Sequence, residues 1–539
     1  MITVSNVSLI FSDKKLFEEV NIKFTPGNCY GIIGANGAGK STFLKLLSGD
    51  KEPTKGDIIV EKNKRIATLK QDQNAYDDFT AIEVVIMGHK ELFDILKAKE
   101  YYYAKTDMTE KEGFELADLE MRFAELDGWE AEYNAEKLLN GLNVDQADFY
   151  QKMSDIVPKN KVKILLAQAL FGNPDILLLD EPTNNLDYEA IRWLEEFLID
   201  YENTVITVSH DRHFLNNVCT HMVDIDYHQA KLYPGNYDFW MESSALIQRL
   251  MADRNKKKEE RMEELKAFIA RFSANLSKSR QATSRKKSLE KIELENIVPS
   301  LRKYPFIGFD VEKPLGKDVL DVDNLSYKID DNLHFENVSF TINRTDKVAF
   351  IGENELYIQA VLSILADEKT PLSGTIKWGQ TVSKNYFSSD HDQYFLKKEL
   401  NLIDWLRQFS KEQAESYIRG FLGRMLFSGD QPLKEVKYLS GGEKMRLLYS
   451  KLMLSNANTL LVDSPTIHLD LEAIQSVNNG LEAFNGSIML FTHDHKLIDT
   501  VCNKIIEIGT YGAYSFNGSL DEYLALPRLK EIRQKLYQK

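Results

Sequence analysis

The sequence predicts an α/β chain built as two copies of one domain, with a long, charged helical segment between them. Three observations predict it. A stretch near the start recurs some three hundred residues later, a glycine-rich loop lies between an apolar strand and a helix start, and an apolar run delivers two adjacent carboxylates to its end.

Self-similarity decides the architecture. ITVSNVSLIFSDKKLFEEVNIKFTPGNCYGIIGANG, from Ile2, recurs as LDVDNLSYKIDDNLHFENVSFTINRTDKVAFIGENE, from Leu320, pairing Asn6 with Asn324 and Gly34 with Gly352. Further on, ILLLDEPTNNLD through VSHD recurs as TLLVDSPTIHLD through FTHD, pairing Asp180 with Asp463, His210 with His493 and Cys219 with Cys502. The offset falls from 318 to 283, so the first copy holds 35 extra residues between Gln71 and Lys161. The resulting domains are 1–242 and 318–539, with 243–317 connecting them.

Composition sets the class. At 539 residues the chain has room for two to four domains, and 43% hydrophobic with 28% charged residues is an ordinary globular balance. No run of eighteen apolar residues and no secretion-signal layout is present, which leads to the expectation of a cytoplasmic protein with no transmembrane segment. Cys29, Cys219 and Cys502 have neither metal-ligand nor disulfide-framework spacing and read as small buried apolar residues. A net charge of −15 confines any nucleic-acid contact to a local patch.

GIIGANGAGKST, Gly31 to Thr42, follows an apolar run and leads straight into FLKLLSG. Strand, glycine loop and helix start are the context of a phosphate-binding loop, here Gly34, Ala35, Asn36, Gly37, Ala38, Gly39, Lys40, Ser41 and Thr42. Gly34, Gly37 and Gly39 let backbone N–H groups turn inward toward phosphate oxygens, and the helix N-terminus adds positive partial charge. Lys40 then reaches the β- and γ-phosphates and the Ser41 hydroxyl holds Mg²⁺. The alternative is a glycine turn without a nucleotide role.

The extra residues fall in 88–132. Leu92, Ile95 and Leu96, then Leu116, Leu119, Phe123 and Leu126, recur at helical steps, predicting two short helices that form either a packed lid or a partner-binding arm. Beyond Ser243, SSALIQRLMADRNKKKEERMEELKAFIARFSANLSKSR reads as one long helix with a broken apolar stripe at Leu246, Leu250, Met262, Leu265 and Ile269. Thirty such residues span about 45 Å. Its far end, 271–291, carries Arg271, Lys278, Arg280, Arg285, Lys286, Lys287 and Lys291 against one acid, Glu290. In so acidic a chain this patch favours a polyanionic partner over a merely solvated face.

The chemistry-bearing constellation completes the first copy. ILLL followed by Asp180 and Glu181 is a buried strand bringing two carboxylates to its C-terminal end, where open α/β sheets hold ligands. Asp180 is suited to hold Mg²⁺ through water and Glu181 to polarise the attacking water. His210, after TVITVS, is placed to sense a γ-phosphate, Gln71 to link metal, water and the inserted arm, and Phe11 to stack on adenine. In the second copy Ser440, Gly441 and Gly442 open a helix, a second anion site suited to a γ-phosphate presented from elsewhere.

Together these residues resemble an ABC-type ATPase of P-loop NTPase fold, specifically the ABC-F family of soluble twin-cassette proteins. The resemblance places Walker A at Gly34 to Ser41, Walker B at Asp180 and Glu181, the signature at Ser440 to Glu443, and switch histidines at His210 and His493. It implies ATP and Mg²⁺ as cofactors and head-to-tail closure within one chain, each ATP held between one Walker A and the other signature. It also implies ribosome binding at the tRNA exit site, with the linker directed toward ribosomal RNA and P-site tRNA.

Departures from that pattern form a set. Opposite Phe11 stands Ile329, and opposite Gly37, Gly39, Lys40 and Ser41 stand Glu355, Tyr357, Ile358 and Gln359. Opposite Gln71 and Glu181 stand Ser389 and Ser464, while Val157, Pro158 and Lys159 replace Ser440, Gly441 and Gly442. Every intact element belongs to one head-to-tail site. The expectation is one working ATP site and one kept for shape, with Asp463 and His493 retained as buried structural residues. The leading function is a ribosome-associated, ATP-hydrolysing translation factor; the rivals are an ABC transporter ATPase subunit and a nucleic-acid-remodelling ATPase.

Overall fold

In this computed structural model the apolar run before the glycine loop becomes β3 (Cys29–Gly34), buried along its whole length. The structure describes all residues except 12–13, 36, 71, 106, 185, 273–301, 330–332, 397–398 and 539. They group into two units, 1–209 with 214–301, and 210–213 with 302–539.

In the first unit, β1 (Ile2–Phe11), β2 (Lys14–Phe24) and β4 (Lys55–Val60) make an antiparallel sheet of order β2-β1-β4. With β5 (Ile66–Thr68), β6 (Ile176–Asp180), β7 (Thr204–Val208), β8 (His221–Asp226) and β9 (Gln229–Pro234), β3 forms a second sheet of order β5-β6-β7-β3-β8-β9. All neighbours in it are parallel except β8 and β9. Burial on both faces explains why β6 reads as an apolar run up to Asp180 and why β7, which holds Thr204 and Thr207, carries no charged residue. Ile32 pairs with Val208 and Asp180 with Val208, so β3, β6 and β7 end at one edge of the sheet. That shared edge is where an open α/β sheet presents ligand-binding residues.

Between the two sheets lies the core that fixes the loop. Val4, Phe17 and Phe24 pack with Tyr30, Ile32, Phe43 and Ile206. Phe43, on the helix that follows the loop, meets Phe17 edge-on at 5.6 Å. Truncating such a buried ring costs about 3–5 kcal/mol.

The second unit repeats this plan. Its strands are β10 (Asp318–Lys328), β11 (His334–Asn343), β12 (Lys347–Ile351), β13 (Ser373–Trp378), β14 (Lys384–Phe387), β15 (Thr459–Asp463), β16 (Ser487–Phe491), β17 (Lys504–Gly509) and β18 (Gly512–Asn517). They order as β11-β10-β13 and β14-β15-β16-β12-β17-β18, the first unit's orders with every label raised by nine.

Residues 88–132 hold the helices Lys90–Tyr103 and Glu110–Glu125, the second started by a capping box between Thr109 and Glu112. The pair has a small core of its own. Lys99, 6% exposed, sets its ammonium 3.6 Å from the Phe123 ring centre and 4.4 Å from that of Trp129, and 3.1 Å from a Glu120 oxygen. Desolvation strengthens such cation–π contacts to about 2 kcal/mol.

The connecting helix begins earlier than the sequence pattern suggests, at Tyr237, and its 36 residues to Phe272 span about 54 Å. Its apolar stripe divides: Leu265 is buried, whereas Leu246 and Leu250 are exposed. Most of the basic segment, 273–291, lies outside the described residues. Among the described residues no helix is long and apolar enough to cross a membrane.

Candidate functional site

The loop leaving β3 takes backbone angles that only glycine adopts without strain, with φ 78 at Gly37 and φ 102 at Gly39. Ala35 and Ala38 close a turn inside it through a 3.0 Å backbone bond. The helix Lys40–Leu47 then starts at Gly39, a residue with no side chain to cap it. That arrangement suits an anion. Lys40 is buried, its ammonium donating to the Gly34 carbonyl at 2.7 Å and lying 3.5 Å from that of Ala35. Thr42 sits half-buried in the helix's first turn.

Two residues with a predicted role toward Mg²⁺ meet. The Ser41 hydroxyl donates to Asp180 Oδ1 at 3.2 Å, joining the start of the helix to the end of β6. A hydroxyl and a carboxylate are the hard oxygen donors Mg²⁺ takes, so the pair fits that ion. Next in the chain, Glu181 is held at φ 53 while its N–H bonds the Val208 carbonyl at 2.8 Å. A glutamate in the left-handed region is a locally strained placement that fixes where the carboxylate leaves the sheet edge.

His210 is half-buried, two residues past β7. Asn36 and Gln71 lie outside the described residues, as does the side chain of Phe11 at the end of β1.

The equivalent place in the second unit is built differently. Its helix, Glu355–Leu365, begins three residues before the position matching Lys40, so the counterparts of Gly37, Ala38 and Gly39 are wound into a helical turn. Asn354 caps that turn, accepting from Leu356 N–H at 3.0 Å. Ile358, at the lysine position, is wholly buried in the core, and Tyr357 packs edge-on against Phe335 at 5.8 Å. No open loop remains there.

Asp463 is 1% exposed and its oxygens accept from Ser389 Oγ at 2.6 Å and Ser464 Oγ at 2.8 Å. Those serines occupy the positions of Gln71 and Glu181. Burial pushes the Asp463 carboxyl pKa up, outweighing the two hydroxyl bonds. Ser464 keeps φ 52 and a 2.8 Å bond to the Phe491 carbonyl, so the backbone of Glu181 survives without its carboxylate. His493 differs from expectation: its side chain is 40% exposed, 3.5 Å from Glu355, because the helical turn sets an acid beside it rather than an apolar wall.

The helix Gly441–Leu454 opens on Ser440, whose hydroxyl accepts from Glu443 N–H at 3.3 Å while its own N–H donates to Glu443 Oε2 at 2.8 Å. Burial alone would raise the Glu443 carboxyl pKa, but bonds from Ser440 and Lys434 hold it below the usual range. The matching helix of the first unit, Pro158–Leu170, starts at Val157 with no side-chain cap and with proline in its first turn.

A feature the sequence reading missed is Tyr537, whose hydroxyl lies 3.1 Å from the Glu353 N–H. Its distance along the chain hides it; the signal was the absence of glycine and lysine from 353–359, which removes the phosphate nest from that loop.

A family profile described as ABC transporter matches residues 17–184 and 335–467, and a second of the same description matches 223–307. The chain is 54% identical over 538 residues to the uncharacterized ABC transporter ATP-binding protein YkpA of Bacillus subtilis (strain 168), covering 100% of both chains. It is 44% identical to the probable ATP-binding protein YbiT of Escherichia coli O157:H7 (97% of this chain, 99% of that) and 31% identical to the ATP-binding protein Uup of Haemophilus influenzae (94% and 78%). Among solved structures, the archaeal ribosome recycling factor aABCE1, in complex with ribosomal stalk protein aP1, shares the fold at a TM-score of 0.62 and 17% identity, with 99% of each chain covered.

Proposed function

We propose, from the premise that this chain belongs to the ABC-F family of twin ATP-binding cassette proteins, that it is a cytoplasmic, ribosome-associated translation factor that hydrolyses ATP at one composite site. The observation that carries the one-site reading is the contrast between two loops at the same topological position, an open glycine loop before Lys40 and a capped helical turn before Ile358.

In this reading Lys40 and the loop N–H groups hold the β- and γ-phosphates, with Phe11 against the adenine. Ser41 and Asp180, joined by Gln71, hold Mg²⁺, which neutralises charge developing on the transferred phosphoryl group. Glu181 accepts a proton from the attacking water and His210 orients the γ-phosphate. Head-to-tail closure brings Ser440, Gly441, Gly442 and Glu443 of the second cassette to the phosphate. The basic segment 271–291 supplies the contact with ribosomal RNA and P-site tRNA. Support for that partner comes from ABC-F membership and from seven cations beside one acid in a chain of net charge −15.

The test is co-sedimentation of the Glu181→Gln protein with ribosomes and with membranes, in ATP, alongside the bound ATP count. Retention on ribosomes with one ATP per chain is expected. Partition into the membrane fraction, or two tightly bound ATP per chain, overturns the reading.

A further inference from the structure

The second unit's vestigial loop is not merely short of glycines; another part of the chain lies against it. After β18 a short helix, Leu520–Leu524, ends before Pro527, and the last helix, Leu529–Tyr537, returns to β17. There the Tyr537 hydroxyl accepts from the Glu353 N–H at 3.1 Å and donates to Glu507 Oε1 at 2.9 Å, with the Ile508 carbonyl at 3.3 Å. Glu353 matches Ala35 of the first loop, directly after the glycine that ends the strand.

We infer that the last helix is a latch on the vestigial loop of the second cassette, its Tyr537 oxygen tying the Glu353 N–H to the end of β17, so that this loop is held closed by its own chain and does not open to take nucleotide. This rests on the proposed reading only in treating the second cassette as not hydrolysing.

The two copies show how the device was made. In the first, Trp240 Nε1 donates to Asp224 at 3.2 Å; at the matching positions Tyr523 donates to Glu507 at 2.6 Å. Past Trp240 the helix runs on unbroken to Phe272. Past Tyr523 stands Pro527 where the first copy has Ser244, and proline disfavours helix at the residue before it and removes an N–H.

Two further replacements receive the returning helix. Glu507 is one methylene longer than Asp224 and wholly buried, and its oxygens accept from Tyr523, Tyr537 and, at 3.1 Å, Arg533. Three donors thus satisfy the oxygens of one buried carboxylate. Gly509 replaces Asp226, and a Cβ there would come within 2.6 Å of the Leu536 backbone oxygen, so only glycine lets the helix lie so close. The Tyr511 N–H then bonds that Leu536 carbonyl at 2.9 Å. Burial beside Glu507 pushes the Tyr537 hydroxyl pKa up, so it keeps its proton across the physiological range.

The experiment is amide hydrogen exchange across 353–359 in the full chain, with and without millimolar Mg·ATP, for wild type, Tyr537→Phe and Gly509→Asp. Phenylalanine keeps the ring and removes only the oxygen; aspartate restores the first copy's residue and displaces the helix. The Glu353 amide is expected to be protected in wild type whether or not ATP is present, and to exchange at least tenfold faster in either variant. Unchanged exchange in both variants, or ATP-dependent protection of 353–359 in wild type, overturns the inference. Its failure is separable from that of the one-site reading, which falls if Lys40→Ala still hydrolyses ATP.

Discussion

The Ser41 hydroxyl donates to Asp180 Oδ1 at 3.2 Å, although 139 residues separate the two. The proposed function makes both side chains oxygen ligands of Mg²⁺, and the bond already holds the two oxygens side by side. Ser41→Ala and Asp180→Asn are therefore expected to lower hydrolysis about 100-fold and to raise the Mg²⁺ concentration giving half-maximal rate. Rates measured across a Mg²⁺ titration check this; an unchanged midpoint in both variants removes the pair from the metal site.

Glu181 and Ser464 share a left-handed backbone, φ 53 and φ 52, and differ in what they present. Replacing Glu181 by Gln keeps the shape while removing the carboxylate that the proposed function makes the base. Turnover should drop about 100- to 10,000-fold with ATP still bound. The reciprocal change, Ser464→Glu, should add no hydrolysis, because Ile358 and the helical turn at Glu355 offer no phosphate site. Single-turnover assays on the two variants decide it, and a gain of activity in Ser464→Glu counts against the one-site reading.

Asp463 makes a pH prediction. Its folded carboxyl titrates above the unfolded value of about 3.9, so the folded state favours the protonated form. The stability this contributes is complete below the unfolded value and is lost as pH rises through the folded one. Asp463→Asn, neutral throughout and still able to accept from Ser389, should flatten that part of the stability profile and leave hydrolysis within twofold of wild type. Denaturant midpoints from pH 4 to 8 measure it, and a steeper profile in the variant would contradict the assignment.

The basic segment makes a prediction about salt. Replacing Arg280, Arg285, Lys286 and Lys287 by Ala removes four charges; if each neutralises a phosphate, the slope of log affinity against log salt falls by roughly 3. Ribosome binding should weaken while ATP binding by the free protein persists. Equal slopes for wild type and variant would assign the contact elsewhere.

Much of the fold is legible because the repeat is. The ILLL and TVITV runs declare strands buried on both faces, and the glycine loop between an apolar strand and Phe43 declares its own context. What stayed hidden is long-range. Glu355 gives no local sign that its helix begins a turn early except Asn354 before it, a residue type that caps helices. Tyr537 bonds a backbone group 184 residues away and belongs to no motif. The exposure of His493 has the same long-range origin, since the acid facing it arrives with that early turn.

The position of β3 has a consequence for synthesis. It pairs with β7 and β8, strands that leave the peptide-forming centre much later; the bond joining Cys29 to Thr220 spans 191 residues. At about 5–20 residues added per second, the strand waits roughly 10–40 s for its last neighbour. For that interval Ile32 and Ile33 have no sheet to enter, and the nascent chain carries an unpaired apolar segment beside its glycine loop. The first cassette's growing chain is then most prone to misassociation, and slowing elongation across 34–220 should lengthen its dependence on chaperones.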